Sequence, residues 1–418
     1  MRKLLIIYPH WPPSNLAGVH RPRLISNFLK EFGWHPIILA VDPSFYDEAP
    51  DNDMNKLVAS DVEVHHVPAR SKKGIIGDLG LRALPYLRKK ALEIIRDEHP
   101  DFLWIPIPSF YTALLGRQLH DKTGIPYGID YIDPWVDGFT HGRKVLSKDW
   151  MSNQVARILE PYCVKKASLI SGVSVPYFKP VLDRNFSNGR QVRYVGMPYG
   201  FDPHDHEVKI EGVELPWGKD EEVYIYAGAF LPKSRYFMQV LFKVFNEWLN
   251  KQDTSRRDRI RLYFVGTGFY SGETIADYAR QAGISQHVVE IRDRFPFLVI
   301  LHMLSAAKGV MVIGSTEAHY TASKTFQAVL SKRPVLAMFH DQSSAAAVLT
   351  DIHADNYLVR YKEDASEEVL QEETADAVQR FLSGNEVWSP AYDALKSYSS
   401  WASAKALVDQ INSIIEKQ

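Results

Sequence analysis

Short unbroken apolar runs alternate with longer stretches of helical periodicity along most of this sequence. The first run, Leu4 to Tyr8, has the length and continuity of a strand buried on both faces. A loop rich in Pro, Asn and Gly covers Pro9 to His20. A helix is then expected over Arg21 to Phe32, with Leu24, Ile25, Phe28 and Leu29 on one face and Gly33 as its stop. Further strands are expected at 36–41, 62–67, 102–107, 126–132, 169–173 and from 192, with helices at 111–120 and 152–166 and another ending near His99-Pro100.

Residues 203–221 interrupt this rhythm, being polar and aperiodic. It restarts with strands at 223–226, 261–265, 288–291, 309–313, 334–339 and 357–359. Helices are expected at about 236–249, 274–281, 297–306, 323–331, 344–349 and 366–381, and a helical tail at 391–417 broken near Ser399-Ser400. Strands alternating with helices predict βαβ units and parallel sheets. The chain therefore reads as α/β, with two tandem Rossmann-like doubly wound domains at 1–203 and 222–390. The segment 391–418 is expected to cross back to the first.

Composition narrows the function classes. The formal net charge of −1 gives no reason to expect a nucleic-acid partner. Cys163 is the single cysteine, so no disulfide framework can form within the chain, which fits a reducing compartment. The N-terminus opens with Arg2 and Lys3 as a signal peptide would, but its apolar run stops at Pro9 and is too short for an h-region. No run approaches the length needed to span a bilayer. The expected location is the cytoplasm.

The stretch 314–339 joins two apolar strands through a loop and a short helix. This geometry places a helix N-terminus beside the C-terminal edge of a parallel sheet, where open α/β sheets bind ligands and where phosphate is favoured. Lys324 lies in its first turn. Gly228, Lys233 and Arg235 follow the first strand of the second domain; the two cations would grip a diphosphate, or lie on a solvated surface. Gly266-Thr267-Gly268 follows a strand and precedes a helix, as in a dinucleotide turn, with Glu290 near the place of a ribose-binding acid. The third glycine is displaced, so a plain tight turn fits as well.

Three features stand out in the first domain. The loop 9–20 is long for a βα connection, Gly18 would allow a ligand close to the backbone, and Arg21 and Arg23 at the expected helix start would suit a nearby anion or remain solvated. Asp130, Asp133 and Asp137 cluster at a strand end, where they would orient an acceptor hydroxyl or simply cap the strand; no His or Cys with ligand spacing supports a transition metal there. The basic segment 70–90 interleaves cations with apolar residues. It would lie on an anionic membrane surface, or form a helix with one core face and one solvated face. The histidines, among them His10, His20, His120, His141 and His319, stand in no triad context.

The order of these landmarks resembles the GT-B glycosyltransferases, most closely glycosyltransferase family 4, over nearly the whole chain. The loop with Gly18 resembles the family's glycine-bearing loop. Met197-Pro198-Tyr199-Gly200-Phe201-Asp202 resembles its interdomain turn, and Tyr226-Ala227-Gly228 to Lys233 its diphosphate loop. Val265 to Gly268 resembles its glycine turn, Ser323 to Gln327 with Arg333-Pro334-Val335-Leu336 its donor helix and strand, and Asp130 to Trp135 a motif of some members. Where the family carries two glutamates eight positions apart, this chain has Gln327 and His319, with Glu317 nearby. Ala229 stands where an arginine is frequent.

The resemblance implies two domains facing across a cleft and transfer of a sugar from a nucleotide-diphosphate sugar to a hydroxyl acceptor, a glycan, lipid-linked or small molecule. It implies retention of configuration, no obligatory metal and no cofactor beyond the donor, with domain closure excluding water. Gly18, Lys233, Arg235 and Lys324 would hold the diphosphate, with Gln327, Gly266 and Arg292 at the ribose and nucleoside. Asp130, Asp133, Glu317 and His319 would carry the chemistry. A peripheral membrane contact through 70–90 would place the enzyme at the inner face of a membrane. A sugar-nucleotide epimerase, a degenerate binding or scaffold protein and an NAD-dependent enzyme are the alternatives.

Overall fold

The computed structural model describes residues 1–72, 77–136, 147–186, 191–316 and 324–417, and these form two compact units, 1–202 with 397–418, and 203–396.

The first unit is built on seven parallel strands: β1 (Arg2–Ile7), β2 (Trp34–Val41), β3 (Glu63–Val67), β4 (Phe102–Ile107), β5 (Tyr127–Tyr131), β6 (Leu169–Gly172) and β7 (Arg193–Gly196), in the order β3-β2-β1-β4-β5-β6-β7. Its helices are α1 (Ala17–Ser26), α2 (Leu79–Glu98), α3 (Ala113–Thr123), α4 (Lys148–Val164) and α5 (Val175–Asn185). β1 lies mid-sheet, and Leu4 to Ile7 are all withdrawn from solvent, each such side chain contributing about 1.5–3 kcal/mol. One face of the sheet packs on α2, α3 and α4. The other face carries the C-terminal helix of the chain, Ser400–Ile415, through Ala404, Leu407, Val408 and Ile411. Ser399 is that helix's N-cap, accepting from the Ala402 amide, which is why the periodicity breaks there. Asn412 holds the helix to the sheet, accepting from Arg2 at 2.7 Å and from the Trp34 indole at 3.2 Å.

Three expectations change here. The first helix spans 17–26 rather than 21–32, because Asn27 turns its side chain onto Leu57 O and Ala59 N and a 3-10 turn, Leu29–Phe32, follows. Arg21 and Arg23 therefore lie inside the helix, not at its start. α5 is an addition to the expected helices; its Pro176 stands in the first turn, where no intrahelical donor is lost. In the segment 70–90, of which 73–76 lie outside the described residues, Leu79, Ala83 and Leu87 enter the core. What α2 leaves outside is a basic solvated face with Tyr86. Of the described apolar residues in this segment, Leu79, Ala83 and Leu87 are buried in the protein and so are not available for a membrane contact.

The second unit has six parallel strands: β8 (Glu222–Ala227), β9 (Ile260–Val265), β10 (Val288–Ile291), β11 (Gly309–Ile313), β12 (Val335–His340) and β13 (Tyr357–Tyr361), in the order β10-β9-β8-β11-β12-β13. Its helices are α6 (Arg235–Leu249), α7 (Thr254–Arg259), α8 (Ile275–Gln281), α9 (Phe297–Ala306), α10 (Lys324–Leu330), α11 (Ser344–Asp351) and α12 (Glu367–Ser383); the C-terminal helix is α13. The polar stretch 203–221 belongs to this unit: Trp217 packs edge-on against Tyr263, whose hydroxyl donates to Pro216 O at 3.2 Å. Among the described residues no helix is long and apolar enough to cross a membrane.

Candidate functional site

In each sheet the strand order reverses once, between β1 and β4 in the first unit and between β8 and β11 in the second. Loops leaving the C-terminal ends of strands flanking such a reversal diverge and leave a crevice, the usual ligand position in open parallel sheets.

At the reversal of the second unit, β8 ends in Gly228 and β11 leads through Gly314 towards α10. Gly228 has φ +134°, and a Cβ placed there would stand 2.5 Å from the Lys324 Nζ. Only glycine lets the ammonium lie against the backbone after β8. The ammonium donates to the Tyr226 hydroxyl at 2.8 Å and to Ala229 O at 3.4 Å, and lies 4.5 Å from the centre of the Tyr226 ring. The Tyr226 hydroxyl in turn donates to Ala229 O at 2.8 Å. Burial pushes that phenol well above its ordinary range, so it stays neutral and serves as a relay of dipoles. Two of the lysine's donors thus meet neutral oxygens at the switch point. Ser234 closes the crevice from one side by donating to Gly314 O, and the exposed Lys233 stands on the same loop, its carbonyl accepting from Thr316 N at 3.4 Å.

The adjacent strand β9 ends in Gly266 and Gly268, with φ +67° and +78°. Arg292 donates to Gly268 O at 2.9 Å and lies 4.9 and 4.8 Å from the Phe269 and Tyr270 rings. Phe269 is 86% exposed, an aromatic face held open at the sheet edge. Glu290 accepts from Thr267 at 2.8 Å, from the Tyr270 hydroxyl at 2.7 Å and from Ala276 N at 3.3 Å, so its oxygens bind the loop together instead of awaiting a ribose. Arg235, expected to fork a diphosphate, donates to Ser271 O at 2.6 Å and braces this same loop. Gln327 accepts from His206 Nε2 at 2.6 Å, which leaves its NH2 group as the part able to reach a hydroxyl. Burial holds His206 below the ordinary histidine range, so the ring is a neutral donor.

In the first unit the expected site residues divide. Asp130 has no solvent exposure. It accepts from Arg21 Nε and Nη2 at 3.0 and 3.1 Å and from Ser171 at 2.6 Å, and Ser171 accepts from the Trp104 indole at 3.2 Å. A carboxylate sealed in this way cannot face an acceptor; it holds Arg21, which also donates to Met197 O and Pro198 O and so fixes the turn after β7. The anion that Arg21 called for is internal. Arg23 is equally buried and donates to Leu57 O at 3.2 Å.

Gly18 has an internal neighbour too. A Cβ there would come within 2.1 Å of the Tyr8 hydroxyl, and burial raises that phenol far above its ordinary range. Asp133 keeps an exposed edge, while desolvation by the surrounding protein raises its carboxyl above the ordinary aspartate range. Glu317, His319 and Asp137 lie outside the described residues.

Sequence reasoning missed a cluster after β1. Glu48 accepts from His10 Nδ1 at 3.1 Å and from the buried Ser14 hydroxyl. Burial acts upward on the Glu48 carboxyl, but these hydrogen bonds prevail and bring it down to about 2. The three residues are separated by a loop and have no fixed spacing, so no motif could have announced them. Among the described residues no cluster of three His, Cys, Asp or Glu could hold a metal ion.

No family model and no curated protein matches the sequence. Solved structures do match over the whole chain. The chain is similar to sucrose-phosphate synthase from Thermosynechococcus elongatus, at 15% identity and a TM-score of 0.57, covering 100% of this chain and 97% of that one. It is similar to a UDP-forming α,α-trehalose-phosphate synthase from Burkholderia xenovorans, at 11% identity and a TM-score of 0.61, covering 99% of each chain. A Listeria monocytogenes protein assigned as a UDP-N-acetylglucosamine 2-epimerase matches at 12% identity and a TM-score of 0.53, over 100% of this chain and 97% of that one. These likenesses show the fold: two doubly wound α/β units in tandem, the GT-B fold.

Proposed function

We propose that this protein transfers a sugar from a nucleoside-diphosphate sugar to a hydroxyl acceptor. The observation that carries the reading is the seat of Lys324 against Gly228 at the switch point of the second unit. A diphosphate leaving group needs positive charge placed before the reaction begins. Lys324 supplies it from a position made by a missing side chain, and Lys233 adds charge from the same loop. The NH2 of Gln327 would donate to a ribose hydroxyl, and the open face of Phe269 would stack on the base. Asp133 would orient the acceptor hydroxyl. Its raised carboxyl suits proton exchange near neutrality better than an ordinary aspartate would.

Calorimetric titration with UDP, GDP, ADP and TDP tests the donor half. The expected result is binding of at least one of them, and failure of all four would end the reading. Incubation with the corresponding sugar nucleotides, with and without hydroxyl acceptors, tests the reaction. Transfer predicts free nucleoside diphosphate that rises with acceptor, and the product anomer decides between retention and inversion. A changed sugar nucleotide formed without any acceptor would instead mark an epimerase, the activity assigned to one of the structures with this fold.

A further inference from the structure

Twelve large hydrophobic residues are exposed among the described residues, and eight of them lie outside α4 with no more than one on any element. The other four are Met151, Val155, Ile158 and Tyr162, exposed by 49, 40, 73 and 41%. All lie on α4, at spacings of four, three and four. That spacing puts them in one line on the outer face of the helix, about 16 Å long at 1.5 Å per residue.

The helix is not loosely held. Its inner face seats Ala156 and Cys163 in the core, and the buried Glu160 accepts from Arg184 at 2.8 Å. The outward stripe is therefore a fixed surface. Its surroundings are basic: Arg157, Lys165 and Lys166 are exposed on the same helix and just beyond it, and Arg117 lies 5.4 Å from the centre of the Tyr162 ring. Asp121 is shared by Arg117 and Lys166, at 2.7 Å from each, so this trio retains a net positive charge. Glu160 is the only carboxylate among the described side chains of α4, and it faces inward.

We propose that α4 is a docking face for an anionic lipid surface, with Met151, Val155, Ile158 and Tyr162 entering the headgroup boundary and Lys165, Lys166 and Arg157 meeting lipid phosphates. An apolar stripe flanked by cations is what an interfacial helix requires. A second copy of the chain fits the same stripe poorly. Packed in parallel, two α4 helices would bring lysines against lysines. The inference is independent of the chemistry at the second unit.

The test is flotation of the full-length protein with phosphatidylglycerol-containing vesicles and with phosphatidylcholine vesicles, alongside sedimentation velocity without lipid. The expected result is partition into the anionic vesicles only, weakened by salt. Ile158→Asp should lower it by about tenfold or more, and K165Q with K166Q by about fivefold for each lysine removed. Ile158 points to solvent, so an unchanged circular dichroism spectrum will accompany the loss. No partition into anionic vesicles, or equal partition into neutral ones, overturns the proposal. So does a dimer in the absence of lipid that Ile158→Asp dissolves, which would assign the stripe to a second copy.

Discussion

The Arg21 guanidinium and the Asp130 carboxylate, neither exposed to solvent, face each other through two parallel hydrogen bonds of 3.0 and 3.1 Å. They connect α1 to β5 and, through the remaining arginine donors, to the turn at 197–198. Removing one partner strands a buried charge. Asp130→Ala should cost about 3–5 kcal/mol of stability. Arg21→Lys should also be destabilising, because a point ammonium cannot make the paired contact. Denaturant unfolding will measure the loss, and the folded fraction of either variant should bind nucleoside diphosphate as the wild type does. A large loss of nucleotide affinity in folded Asp130→Ala would contradict a purely structural role.

Lys324→Gln removes the charge at the switch point while keeping a polar side chain. Hydrogen bonds to charged groups contribute about 1.5–3 kcal/mol, so nucleoside diphosphate affinity should fall by about tenfold or more. Binding of the corresponding nucleoside, which lacks phosphate, should hardly change. Calorimetry on the two ligands separates these outcomes, and an equal loss for both would mean that the lysine supports the fold of the loop instead.

Gly228→Ala places a methyl group 2.5 Å from the Lys324 ammonium on backbone with φ +134°. Backbone strain of this kind costs about 1–3 kcal/mol, and the ammonium must move as well. The single variant should lose both stability and nucleotide affinity. Adding Lys324→Ala removes the collision but not the strain, so the stability losses should be less than additive in a double-mutant cycle. Strict additivity would show that the two residues do not press on each other.

Glu48 predicts a pH dependence. Its carboxyl lies at about 2 in the folded protein against 4.5 for the unperturbed group. The unfolded chain therefore takes up the proton first, and the stabilisation, roughly 3 kcal/mol, is complete above about 4.5 and lost as the pH falls towards 2. Glu48→Gln should be less stable than the wild type at neutral pH, and the difference should close across that window. A gap that stays constant with pH would show that the His10 and Ser14 contacts stabilise through shape alone.

Much of the fold was legible because buried parallel strands cannot be disguised. Runs such as Leu4 to Tyr8 and Gly309 to Ile313 have no polar alternation and are bounded by turn residues, and each became a strand within a residue or two. Helix ends were less legible. The close of α1 depends on Asn27 meeting Leu57 and Ala59, and α5 carries two prolines that local rules count against it. The candidate site was legible as a place but not as a set of roles. Gly228 and Lys324 meet at the switch point, whereas Asp130, Arg235 and Glu290 spend their polar atoms within their own units.

The sequence alone determined the alternation of strands and helices, the two-part organisation and the positions of the loops at the sheet edges. These follow from local apolar periodicity and turn chemistry. Only the tertiary structure decided which charged residues are available. A charge in a sequence reads the same whether its partner is solvent, a ligand or a residue far along the chain. Arg21 and Asp130 lie more than a hundred positions apart, and only folding reveals that each is the counter-ion of the other. The stripe on α4 was hidden for the converse reason: an apolar residue in an amphipathic helix is assumed to face the core, and Ile158 faces away from it.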